Sequence, residues 1–177
     1  AETYTINNRD YFSNNTDFLN LNISTQDSLN TKFYTSMGYK ILTDFHLRGK
    51  NQSALLMLEL DRIKYVYQNS TSSLKEKLYY EALTRLTQSY STNKYVSEVW
   101  YLIASVHNSK GNSYSFPNEE NRWEKKIAVE ICVRVIKEFP NTYGSKQCAV
   151  LKSKIESRDF LELQTSNSIY NLNYSFI

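Results

Sequence analysis

Trp123-Glu-Lys-Lys-Ile-Ala-Val-Glu-Ile-Cys-Val-Arg-Val-Ile-Lys-Glu-Phe139, followed at once by Pro140, decides the fold class of this chain. It reads as one amphipathic helix, halted where a proline ring can no longer continue it. Ala128 lies 12 residues before Pro140, and Ala82, in Tyr80-Glu-Ala-Leu-Thr-Arg-Leu-Thr-Gln-Ser-Tyr90, lies 46 residues before Ala128. Outward from this helix, five more are expected: Ser28 to Leu47, Gln52 to Gln68, Leu74 to Tyr90, Val96 to Lys110, and Gly144 to about Leu161. The first of these carries Leu29, Phe33, Met37, Ile41 and Phe45 at steps of four and should end near Gly49. Asn69-Ser-Thr-Ser-Ser73 supplies a turn rich in N-cap residues. The fold class is therefore all-α, with about six helices in a domain spanning 28–163. Before it, the Asn-rich segment 1–27 has apolar residues at irregular spacings and is read as an extended or loosely structured arm, with short helical turns as the alternative. After it, in 164–177, Tyr170, Leu172, Tyr174 and Phe176 alternate with polar residues as in a half-buried strand. That pattern is expected to be the start of a truncated β-domain, and the start at Ala1, without Met or an apolar leader, is expected of a processed product or of a piece of something longer.

Composition agrees with helices and narrows function. The chain has 177 residues, 41% of them hydrophobic and 22% charged, ordinary values for one globular domain. Only 4 Gly and 2 Pro are present, fewer than turn-rich sheet folds use. A formal charge of +3, from 21 Lys+Arg against 18 Asp+Glu without long runs of like charge, gives no footprint for nucleic acid. The richest apolar window, Ser53 to Leu60, meets Asp61, Arg62 and Lys64 and is too short to span a bilayer, so direct membrane insertion is not expected.

The alanine spacing resembles the tetratricopeptide pattern, a repeat of roughly 34 residues built from antiparallel helical hairpins. There, a small residue at the twentieth position lets the second helix pack tightly on the first. Ala82 and Ala128 would occupy that place in two repeats separated by one period and a 12-residue insertion at 112–123, and Trp100 would fall at the fourth position between them. A plain irregular helical bundle is the simpler alternative. More specifically, the run Arg122-Trp-Glu-Lys-Lys-Ile-Ala-Val-Glu-Ile-Cys-Val-Arg-Val-Ile-Lys-Glu-Phe-Pro-Asn-Thr-Tyr-Gly-Ser-Lys-Gln-Cys148 resembles the segment that precedes the first macroglobulin domains in large alpha-2-macroglobulin-like proteins of the Bacteroidetes. The likeness extends to Thr43-Asp-Phe-His-Leu47 and Ala54-Leu-Leu-Met-Leu-Glu-Leu-Asp-Arg-Ile63. It implies export to the periplasm or cell envelope, in a protein of the protease-trapping class. Asp27-Ser28-Leu29, which resembles an O-glycosylation site of exported Bacteroidetes proteins, points the same way. The family's Cys-x-Glu-Gln thioester is absent, since Cys132 is followed by Val133-Arg134-Val135 and Cys148 by Ala149-Val150-Leu151. The resemblance therefore implies a scaffold or docking region, with other domains of the same chain or an envelope protein as partner.

Candidate chemistry is sparse. His46 and His107 have no nucleophile beside them in a recognisable order, and the carboxylate pairs Glu119-Glu120 and Glu76/Glu81 have no assigned geometry. No enzyme, cofactor or metal site is expected. Cys132 and Cys148 lie 16 apart with Pro140 midway, so in an antiparallel hairpin they should face each other, as a disulfide or as two buried thiols. In the insertion, Tyr114, Phe116, Arg122 and Trp123 are residue types that anchor interfaces, or else Phe116 and Trp123 cap the hairpin core, the reading favoured here. By resemblance to tetratricopeptide proteins, Glu98, Tyr101, Ser105 and Asn108 would line a concave surface without the basic pairs that clamp a peptide carboxylate. The function expected is a non-enzymatic helical scaffold or protein-interaction domain. The alternative is a glycan-binding helical repeat domain of an envelope nutrient-uptake protein, which would use the 14% aromatic content.

Overall fold

A computed structural model describes residues 4–27, 29–116 and 119–157. These are helical, in agreement with the all-α expectation: a 3-10 turn at Arg9–Phe12, then α1 (Asn15–Asn20), α2 (Thr31–Arg48), α3 (Gln52–Asn69), α4 (Lys75–Ser89), α5 (Val96–Gly111), α6 (Glu124–Glu138) and α7 over 143–157. The strand-like alternation in 164–177 and the end of the sixth expected helix lie outside the described residues. The chain divides into two compact units, Ala1–Val99 and Trp100–Ile177.

The abundance of Asn has a structural use in the first unit. Asn8, Asn14, Asn30 and Asn51 each precede a helical segment and accept a hydrogen bond from a backbone N–H two or three residues on. Such caps contribute about 1 kcal/mol each by satisfying otherwise orphaned donors. In this unit α2 packs on α3 and α3 on α4, and the 3-10 turn touches α1, α3 and α4. Leu55, Leu56, Leu60, Ile63 and Val66 of α3 meet Leu78, Ala82, Leu83 and Leu86 of α4 in the buried core.

Over residues 4–27, the segment read as an extended arm forms short helical turns that complete this core. Ile6, Tyr11, Phe12 and Phe18 are all buried. Arg62 of α3, itself buried, donates to the Tyr11 carbonyl at 2.5 Å and the Ser13 carbonyl at 2.7 Å, and Arg85 of α4 donates to the Phe12 carbonyl at 2.9 Å. The irregular apolar spacing that suggested an arm arises because one short turn follows another, so that no single period persists.

The tyrosines couple the first unit to alkaline pH. Tyr67 donates to Glu76 Oε2 at 2.7 Å, and its ring stacks on that of Tyr79 with centroids 4.2 Å apart. The hydrogen bond to Glu76 first, and burial second, push Tyr67 up to about 12. Burial does the same for Tyr79 and Tyr90, each to about 12. Unfolded tyrosines ionise near 10, so between about pH 10 and 12 the unfolded chain releases protons that the folded chain keeps. Stability from these groups is complete below about pH 10 and falls as pH rises through 12. The urea midpoint is expected to be lower at about pH 11 than at about pH 8.

In the second unit, Ala104, Ala128, Cys132, Val135, Cys148 and Ile155 form the buried cluster, against which Trp100, Tyr101, Ile136, Phe139 and Leu151 pack. The end of α5 runs close to the start of α6, since a Cβ on Gly111 would come within 2.6 Å of Lys125 Cγ and 3.0 Å of the Lys125 amide nitrogen. His107 Nδ1 and Glu124 Oε2, 2.5 Å apart, join the same two helices. Pro140 follows the end of α6, and Asn141, at φ 63°, turns the chain in the left-handed region that Asn tolerates.

Candidate interaction surface

The residues expected on the concave surface of α5 are mostly engaged locally. Tyr101 packs against the second unit's core, and Ser105 Oγ donates to the Tyr101 carbonyl of its own helix at 2.9 Å. Asn108 is half-buried. Glu98 is partly buried, which raises its carboxyl above the ordinary range against the opposing pull of Lys64. In the insertion, Phe116 and Trp123 are 85% and 61% exposed, so neither ring caps the core. Tyr114 is also exposed. Arg122 pairs with Glu119 at 2.6 Å and lays its guanidinium 4.9 Å from the Trp123 ring centroid. Cys132 and Cys148 are both buried thiols in one cluster.

A second set of exposed apolar residues lies on α2. Tyr34, Ile41, Leu42 and Phe45 are exposed, the last 67%, with Leu29 exposed ahead of the helix and Leu47 at its end. Spacings of seven, one and three residues put Tyr34, Ile41, Leu42 and Phe45 on one face, with Gly38 in the middle of it. A Cβ built on Gly38 would meet nothing within 4 Å. The described residues thus give no packing reason for a glycine that costs a helix about 1 kcal/mol relative to Ala.

The opposite side of α2 explains this inversion. Ser36 and Thr43 are its buried residues, and Tyr39 donates to Asp61 Oδ2 of α3 at 2.8 Å while its ring meets that of Tyr65. Lys40 reaches back to the Leu21 carbonyl at 2.5 Å. Ser36, Thr43 and the Tyr39 ring therefore face the unit, while Tyr34, Ile41, Leu42 and Phe45 face outward. The four-residue stripe does not stay on one side, because each step of four turns about 40° around a helix of 3.6 residues per turn. Phe33 and Met37 consequently sit half-buried while Ile41 and Phe45 have rotated into solvent. The signal that could have shown it is Ser36 and Thr43, two small polar residues seven apart.

Isolated exposed apolar residues are common, whereas Tyr34, Ile41, Leu42 and Phe45 share one side of a single helix. Its polar margin is an exposed ion pair between Asp44 and Arg48. Among the described residues, no group of three His, Cys, Asp or Glu could hold a metal ion, and no helix is long and apolar enough to cross a membrane. A separate cleft of about 540 Å³ in the first unit is lined by uncharged side chains including Tyr4, Asn7, Asn22, Ser24 and Gln26. No family model, curated protein or solved structure matches the chain.

Proposed function

We propose that this chain is a non-enzymatic, tetratricopeptide-like helical scaffold within a larger alpha-2-macroglobulin-like envelope protein, exported to the periplasm or cell surface. Its task is to hold a neighbouring domain of the same polypeptide against α2. The observation that carries the reading is the apolar face of Tyr34, Ile41, Leu42 and Phe45 around an unpacked Gly38. A helix that turns its small polar residues inward and its large apolar ones outward is suited to a second packing partner. The hairpin architecture is supported by Ala82 and Ala128, both buried where a tight helix crossing needs a small residue. The envelope setting rests on the resemblance of 122–148 to the helical region of those proteins. Without the Cys-x-Glu-Gln thioester this region has no trapping chemistry of its own, which leaves it a mechanical role.

The test is the paired substitution Ile41→Asp and Phe45→Asp. Because both side chains are already in water, the isolated chain is expected to keep its stability within about 0.5 kcal/mol. Association with the rest of the parent polypeptide, measured by titration calorimetry, should weaken at least about 30-fold, as when a central apolar anchor is removed. Unchanged association would sink the reading.

A further inference from the structure

Cys132 on α6 and Cys148 on α7 are both completely shielded from solvent and belong to one buried cluster. They lie 16 residues apart, to either side of the turn at 139–142. Their immediate surroundings are small: Ala128, one turn before Cys132, is wholly buried, and Gly144 and Ser145, one turn before Cys148, are buried too. Small residues let helix axes approach, and a disulfide needs Cα atoms within about 7 Å. The thiols also interact directly. A hydrogen bond with Cys132 first, and burial second, hold the Cys148 thiol well above its ordinary range, while the same hydrogen bond favours the Cys132 thiolate.

We propose that Cys132 and Cys148 are a disulfide-forming pair that clamps α6 to α7. The cluster around them explains why a clamp is useful. Its six members include two alanines and the two cysteines themselves, a sparse apolar core of the kind that small units reinforce with cross-links. The oxidant is a small disulfide such as oxidised glutathione. The Cys132 thiolate attacks one of its sulfurs, breaking that S–S bond and releasing one glutathione thiolate. The Cys148 thiolate then attacks the Cys132 sulfur of the mixed disulfide and releases the second. Two electrons pass to the oxidant, and the two cysteine protons end on the two glutathione thiols. Because neither sulfur is accessible in the folded unit, exchange takes place before the helices close, and the finished bond is shielded from reductant. This inference does not depend on what α2 binds.

The test is to refold the whole chain from the reduced, denatured state in a glutathione redox buffer, then alkylate under denaturing conditions and map the peptides. The expected result is that neither cysteine is alkylated and that one intramolecular link joins them. Urea unfolding should then be less favourable by on the order of a hundredfold than for the reduced chain, as for a loop of about 15 residues. Two alkylated cysteines, or a link between separate chains, would overturn the proposal, as would equal stability of the oxidised and reduced forms. The Cys132→Ala/Cys148→Ala variant should ignore the redox buffer. If that variant does not fold, the comparison of oxidised with reduced wild type decides alone.

Discussion

Replacing Arg62 by Ala is expected to destabilise the first unit by about 3–5 kcal/mol, the cost of breaking a buried charge network from one side. Arg62 has no exposed surface, and its guanidinium serves three partners at once. Nη1 and Nη2 donate to the Tyr11 and Ser13 carbonyls, and Nη2 lies 3.7 Å from Glu59 Oε1. Glu59, also buried, binds Arg85 at 2.9 Å. Burial pushes the Arg62 pKa down to about 10, with Glu59 pulling it back up, so the side chain stays charged at neutral pH. Truncation would leave the buried Tyr11 carbonyl and the part-buried Ser13 carbonyl without their Arg62 donors, and Glu59 with Arg85 alone. For a unit of ordinary stability, about 5–15 kcal/mol, that is a large share. Urea titration measures the loss, and early protease cleavage within residues 4–27 should accompany it. A midpoint indistinguishable from wild type would mean that the N-terminal turns are not held as described.

The second large effect is expected at Phe18. Its side chain is 1% exposed, with the Arg62 guanidinium 4.1 Å from the ring centroid and the Tyr11 ring 6.4 Å away. Phe18→Ala removes a buried aromatic and should cost about 3–5 kcal/mol. An aromatic in an extended arm would cost next to nothing, so the substitution separates the two descriptions of this segment by thermal or urea denaturation. Because Phe18 and Arg62 touch, the double variant should depart from additivity by roughly 0.5–3 kcal/mol. Additive losses would show that the ring and the guanidinium act independently.

The long helices were readable because each repeats an apolar pattern over several turns and ends at a chemically distinct residue. Pro140 stops α6, Gly49 follows α2, and Asn51 opens α3. The N-terminal turns could be read only as one alternative to an extended arm, since four- and six-residue helices hold too little periodicity to place them. Their caps were in the sequence nonetheless: Asn14 stands three residues before Asp17, accepts from the Asp17 amide and donates its Nδ2 to Asp17 Oδ2. The facing cysteines followed from their equal distances to Pro140, which needs only hairpin geometry. The α2 face is not legible in the sequence because a stripe at steps of four winds round the helix and does not say which side is buried. Burial went to Ser36 and Thr43, which allow closer approach than Ile or Phe would. In the insertion, residue types alone could not separate a capped core from a displayed loop. That depends on where the loop projects, which only the fold decides.

The claim that α2 presents a docking face is tested most directly by hydroxyl-radical footprinting of Ile41, Leu42 and Phe45. Their oxidation is to be compared between the isolated 177-residue chain and the larger polypeptide proposed to contain it. The account predicts rapid oxidation at all three in the isolated chain and strong protection in the parent, with Trp123 as an internal reference. Equal oxidation in both would contradict it and leave the apolar face of α2 without a partner.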